Sequence, residues 1–138
     1  SPAKRRRLNL YVKQHRVDIL LLQETHVADN SLMTEIANEW GMRGYWSLGS
    51  YQSKGVAILF KLSLNVTHNC HFRDSDGRLV VVNMKMGDEN FRLINIYAPN
   101  KARERYNFFK TVEDRLHAPG IRVLVAGDFN CVEDASLD

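Results

Sequence analysis

The chain of 138 residues is poor in the residues that announce special architectures, with two cysteines, three prolines and eight glycines. Cys70 and Cys131 are too few for a disulfide framework and too far apart for a C-x-x-C metal site, so both are expected to be small buried hydrophobes in a reducing compartment. No apolar run reaches the roughly 18 residues of a membrane-spanning helix, so no membrane partner is expected. The opening Ser-Pro-Ala-Lys-Arg-Arg-Arg lacks the charged-then-apolar order of a secretory signal, and the expected location is intracellular. Internal repeats, low-complexity tracts and Pro/Gly linkers are missing too, which points to a single unit. Nor does one charge sign dominate. Nineteen Lys and Arg against sixteen Asp and Glu leave +3, compatible with an anionic partner without requiring one.

What is present is a hydrophobic fraction of 44%, enough for a globular core, distributed in periodic segments. From Lys4 to about His15, Leu8, Tyr11 and Val12 recur at helical spacing behind Pro2. Val17 to Leu22 reads as a strand of the kind that is buried on both faces, ending at Gln23-Glu24-Thr25-His26. A second helix is expected after Asn30 or Ser31 as N-cap, with Leu32, Ile36 and Trp40 on one stripe and Gly41 as the stop. Strands are expected over Gly55–Phe60 and Leu64–Phe72, then a turn at Asp74-Ser75-Asp76-Gly77. Arg78–Met86 and Phe91–Tyr97 read as a hairpin around a four-residue loop, Gly87 to Asn90. A third helix should run from Ala102 to His117, with Phe109, Val112 and Leu116 inward, before a last strand starting at Val123. This mixture predicts sheets packed on each other with helices outside.

Three of the apolar strands end on polar groups. "DILLLQE" ends at Glu24, "RLINIY" at Tyr97, and "VLVAGDFN" at Asp128 and Asn130. Groups held at strand ends are positioned by a rigid scaffold. Period-two geometry would aim Asp128 and Asn130 into the same space. The plainer reading of each terminus is a solvated carboxylate followed by turn chemistry, and only the coincidence of three favours function. Glu, Asp, Asn and Tyr without a Cys or His cluster are hard oxygen donors, which suit Mg²⁺ or Mn²⁺ and the hydrolysis of a phosphodiester.

In this order, "LLLQETH" at 20–26, "SKGVAILF" at 53–60, "LINIYAPN" at 93–100 and "VLVAGDFN" at 123–130 closely resemble the endonuclease/exonuclease/phosphatase superfamily, most of all the endonuclease domain of LINE-type non-LTR retrotransposons. The resemblance covers essentially the whole chain. It implies an α/β (α+β) fold, a four-layer αββα sandwich of the deoxyribonuclease I-like type, incomplete here. It also implies that Glu24 binds the metal, Mg²⁺ or Mn²⁺, that Asp128 positions or activates water, and that Asn130 orients water and phosphate. Tyr97 would support the scissile phosphate or leaving group, Asn100 a nearby phosphate oxygen, and His26 would lie beside the nucleic acid. The bland alternatives for the last two are a turn amide after Pro99 and a solvated loop imidazole.

The chain departs from the family pattern at both ends. The family's first strand, with its active-site Asn, would precede Ser1, and the C-terminal part with its Ser-Asp-His stretch is missing, since no histidine follows His117. Residues 1–138 are therefore expected to form a single partial domain. The implied function is a metal-dependent endonuclease that nicks DNA so that a reverse transcriptase domain on the same polypeptide can prime from the exposed 3′ end, in the nucleus. The fragment alone is expected to be inactive. The alternatives are a catalytically dead remnant serving as a binding or structural module, and a family phosphatase or RNA nuclease. Among minor features, Lys4-Arg5-Arg6-Arg7 reads as a solvated helix face before a phosphate-contacting patch. His68 and His71, three apart on a strand, should face opposite sides. The aromatics Trp40, Tyr45, Trp46 and Tyr51 read as packing residues before a base-stacking surface.

Overall fold

A computed structural model of the chain describes residues 1–131. The elements follow as α1 (Pro2–Gln14), β1 (Ile19–Gln23), α2 (Asn30–Glu39), β2 (Met42–Ser47), β3 (Val56–Lys61), β4 (Thr67–Arg73), β5 (Leu79–Met86), β6 (Glu89–Tyr97), α3 (Ala102–Glu113) and β7 (Arg122–Asp128). One sheet has the order β1-β3-β2, all antiparallel. The other has the order β4-β5-β6-β7, antiparallel except for the β6–β7 pair, which the α3 crossover makes parallel.

Strand alternation builds three apolar interlayers. On β3, Ala57 and Leu59 face α1 and α2, where they meet Val12, Met33, Ile36 and Trp40. Val56, Ile58 and Phe60 face the other way, against Val80, Val82 and Met84 of β5 and Leu93 of β6. Leu79, Val81, Ile94 and Ile96 occupy the outer face of the second sheet, under Val112 of α3. The result is the expected four-layer αββα sandwich, and it explains why β3 and β5 read as unbroken apolar runs. Each fully buried Val, Leu or Ile contributes about 1.5–3 kcal/mol, so these central strands anchor the layers.

Several local expectations are corrected. β1 is half-buried throughout, because it lies at the edge of its sheet with β3 on one side only. The N-cap of α2 is Asp29, whose Oδ1 accepts from Ser31 N at 2.6 Å and Leu32 N at 3.3 Å. The hairpin loop is two residues, Gly87 and Asp88, since Met86 pairs with Glu89, and Gly87 at φ +61° supplies the positive φ that tight hairpin turns need. α3 stops at Glu113, yet Leu116 still packs on its sheet. β4 starts at Thr67 and runs to Arg73. β2 was not anticipated at all; it carries Tyr45 and Trp46 into packing roles. Cys70 is half-buried and Cys131 exposed, both as free thiols.

His68 lies between the sheets, its ring stacked on Phe60 at 4.2 Å and its Nδ1 2.8 Å from the Tyr45 hydroxyl. His71 is the inserted residue of a bulge between Cys70 and Phe72, which turns Phe72 toward α3. Burial and the Arg43 guanidinium hold the His68 pKa below its ordinary 6.5. Burial, Arg92 and Arg115 do the same at His71. The folded chain thus favours both rings neutral: the stability they contribute is present above pH 6.5 and is lost as pH falls through the lowered folded values. The urea midpoint is expected to drop between about pH 7.5 and about pH 5.5 in the parent chain, and to drop less in a His68→Phe/His71→Gln variant.

Candidate active site

Three strand termini converge on one rim of the sandwich. Glu24 follows β1 directly, Tyr97 is the last residue of β6, and Asp128 is the last of β7. Tyr97 and Asp128 are register partners in the parallel pair. Across the sheets, the Tyr97 hydroxyl donates to Glu24 Oε1 at 2.7 Å, joining residues 73 apart in sequence. That bond, then burial, then the negative charges of Glu24 and Asp128 raise the Tyr97 pKa above 10.0, with Arg78 opposing. Tyr97 therefore stays a hydrogen-bond donor at neutral pH. The Arg78 guanidinium sits 5.1 Å from the centre of its ring and donates to its carbonyl at 2.9 Å.

Backbone bonds between loops hold Glu24 in place. Thr25 N donates to Gly55 O at 3.1 Å, His26 N to Lys54 O at 3.0 Å, and Gly55 N to Gly77 O at 3.0 Å. Gly55 has φ +98°, and a Cβ there would lie 2.1 Å from Thr25 Oγ1, so this approach requires glycine. Glu24 itself has φ +50°, a left-handed conformation that the loop contacts enforce.

The period-two expectation for Asp128 and Asn130 stops at Asp128. Beyond it the chain leaves the strand, and Asn130 adopts φ +49°. Its backbone N–H donates to Asp128 Oδ1 at 2.9 Å and its side-chain amide donates to the Ala98 carbonyl. Asn130 is therefore the turn residue that holds the Asp128 carboxylate, with its amide already engaged. Gly127, at φ +135°, lets the strand close on β6, since a Cβ there would sit 2.0 Å from Ile96 O.

Glu24, Tyr97 and Asp128 are thus brought together, with Asn130 against Asp128. Asn100 lies exposed in the loop after β6; its carbonyl accepts from Arg105 Nη1 at 2.7 Å, and its side chain makes no hydrogen bond among the described residues. His26, exposed at φ +53°, stands two residues beyond Glu24 without bonding to the cluster. Among the described residues no histidine is hydrogen-bonded to Asp128.

Asn95 is the residue that sequence reasoning passed over. It is fully buried, and two positions before Tyr97 it shares that residue's face of β6. Its Nδ2 donates to Leu22 O and Ala57 O, both at 2.9 Å, and its Oδ1 accepts from Gln23 Nε2 at 2.7 Å. One amide thereby fastens β6 to β1 and β3 directly beneath the Tyr97–Glu24 bond. The available signal was a lone polar residue on the inward alternation of "LINIY".

The chain belongs to the endonuclease/exonuclease/phosphatase family, whose model matches residues 1–136. It is 27% identical over 127 residues, 91% of its length, to the transposon TX1 uncharacterized 149 kDa protein of Xenopus laevis, of which it spans 10%. Crystalline D. rerio TDP2 complexed with single-strand DNA product has the same fold, with TM-score 0.65 and 19% identity, covering 96% of this chain and 55% of that one. So has the endonuclease domain of TRAS1, a telomere-specific non-LTR retrotransposon, with TM-score 0.64 and 19% identity over 91% of this chain and 54% of that one. The chain thus spans about a tenth of this curated relative and about half of these solved ones. The fold is deoxyribonuclease I-like, and the family is one of nucleases and phosphoesterases.

Asn95→Ala leaves the Gln23 amide and the Leu22 and Ala57 carbonyls without their partner, at about 1–3 kcal/mol for each group stranded in the interior. A stability loss of about 3 kcal/mol or more is expected in urea unfolding. Glu24→Ala removes the hydrogen bond and the charge that raise Tyr97, so its pKa should return toward 10.0, read by NMR titration of labelled tyrosine rings.

Proposed function

We propose that Glu24, Tyr97 and Asp128 form the metal- and water-handling part of a phosphodiesterase site that nicks DNA. The observation that carries this reading is the Tyr97–Glu24 hydrogen bond, which sets a carboxylate from one sheet beside a carboxylate at the end of a strand in the other. The donor set fits Mg²⁺ or Mn²⁺, because its groups are hard oxygen donors and Mg²⁺ takes one or two carboxylates while keeping its waters. Glu24 would hold the ion. When bound, it supplies Lewis-acid neutralisation of the phosphoryl and leaving oxygens. Asp128, fixed by the Asn130 N–H, orients the attacking water and accepts its proton. The Tyr97 hydroxyl, protonated at neutral pH and donating to Glu24, would orient that carboxylate for the ion and leave its oxygen lone pairs facing the phosphate side of the rim. Asn100 and His26 flank the rim and would contact the nucleic acid on either side.

DNA as substrate is supported by the likeness to a transposon protein and to a retrotransposon endonuclease domain, and by the family's nuclease members. The same likeness supports a role in nicking DNA for priming by a linked reverse transcriptase, and a nuclear location is proposed as what that role would require. The chain itself acts as part of a larger domain. A second reading, a module that binds metal and DNA without cleaving, is favoured by the lack of a histidine bonded to Asp128 among the described residues. With the 138-residue protein, Mn²⁺ binding followed by paramagnetic line broadening should weaken by at least about tenfold in Glu24→Ala. Nicking of supercoiled plasmid should not exceed that of the same variant. Mn²⁺ binding indifferent to Glu24 would overturn the metal site, and Glu24-dependent nicking would overturn the binding-only reading.

A further inference from the structure

Arg92 is a buried cation without a counter-ion among the described residues. It is 6% exposed and lies on the outer face of β6, in line with Ile94 and Ile96. Its Nε donates to Asn83 Oδ1 at 2.9 Å and its Nη1 to the Arg115 carbonyl at 3.0 Å, so both acceptors are neutral. Arg115 follows α3, with its guanidinium carbon 3.7 Å from the centre of the Phe72 ring and its Nη1 donating to the Thr111 carbonyl at 2.6 Å. Its Nε is sealed from solvent without a partner. Among the described residues the ion pairs are formed by Lys54, Arg78, Lys101 and Arg122, and neither of these two arginines is paired. Their Nη2 groups make no hydrogen bond there either, yet neither is sealed off, so they are the open donors of the pair. His71, exposed on the bulge of β4 next to Phe72, lies within reach of both positive charges and adds an imidazole to the group.

Charges taken out of water are ordinarily paired, because an unpaired one is costly to bury. The carbonyls at the C-terminal end of α3 supply about half a negative charge, which leaves about one and a half positive charges unmatched on the two guanidiniums. A carboxylate or a phosphodiester brings a single negative charge. A phosphate monoester or free phosphate brings about 1.5 to 2 at neutral pH, on oxygens whose spacing the guanidinium fork matches. We propose that Arg92, Arg115 and His71 form an oxyanion site for one phosphate dianion, seated on the two Nη2 groups and the His71 imidazole. The site lies five residues along β6 from Tyr97, about 16 Å at the rise of a strand, and on the opposite face of the sheet. It is therefore separate from the rim and does not rest on the phosphodiesterase reading.

The test titrates the metal-free 138-residue chain with inorganic phosphate, methyl phosphate, dimethyl phosphate and acetate at constant ionic strength, following the arginine Nε–Hε and His71 ring signals by NMR. Inorganic phosphate and methyl phosphate should move the Arg92 signal saturably, and the tighter of the two identifies the source, free phosphate or a phosphate monoester. The monoanions dimethyl phosphate and acetate should bind at least about fivefold more weakly, the effect of one charge at contact even in bulk water. Burial, then Arg92 and Arg115, lower the His71 pKa, so a bound dianion should bring it back toward 6.5. Arg92→Met should abolish the response. Arg115→Met leaves the carbonyl that Arg92 uses in place, so it keeps the test valid should the first variant misfold; it should weaken binding about tenfold, the scale of one hydrogen bond to a charged group. An Arg92 signal that phosphate leaves unmoved, monoanions that bind as tightly as the dianions, or undiminished affinity in Arg115→Met would overturn the site.

Discussion

The amide of Asn95 holds the two sheets in their working alignment. A sandwich whose sheets meet only through apolar side chains can slide, because dispersion contacts between Val, Ile and Leu are nearly indifferent to small shifts. Three hydrogen bonds from one buried side chain to β1 and β3 remove that freedom, because any slip would strand polar groups where water cannot reach them. The step from Asn95 to Tyr97 is one pleat of β6. Fixing the first therefore fixes where the second meets Glu24, and the β6–β7 register carries the same alignment to Asp128.

Around that bolt the backbone is held in conformations it would not choose. Of the five non-glycine residues at positive φ among the described residues, four stand in the site's loops: Glu24, His26, Lys54 and Asn130. Left-handed geometry costs roughly 1–2 kcal/mol for a residue with a Cβ, and asparagine tolerates it best. The interloop hydrogen bonds through Gly55 and Gly77 offset this cost. Stability built by three apolar interlayers is thereby converted into the placement of exposed carboxylates at the rim.

Much of this was legible in the sequence. β3, β5 and β6 declare themselves because burial on both faces demands unbroken apolar runs, and the polar strand ends stand out against them. β2 escaped because Gly44 interrupts its pattern; that glycine is there for close approach to Ile58, whose carbonyl would lie 1.9 Å from a Cβ. Asn130 was assigned to the strand since alternation extrapolates past a terminus, whereas the bond to the Ala98 carbonyl that bends it away is non-local. Asn95 stood out locally as a polar residue on the inward alternation of β6, but what it does there was not legible, since its partners are residues 22, 23 and 57 and no local window contains them.

The parallel pairing of β7 with β6 also bears on the order in which the molecule comes into being. The β4-β5-β6 meander pairs neighbours in sequence and can form early, whereas β7 must wait for the α3 crossover and Glu24 must return from 73 residues away. Each acidic group therefore reaches the rim only on completion of a long-range closure. A nascent or partly unfolded chain, however much of its sheet has formed, carries scattered carboxylates and no constellation. The candidate site is in this way withheld until folding has finished.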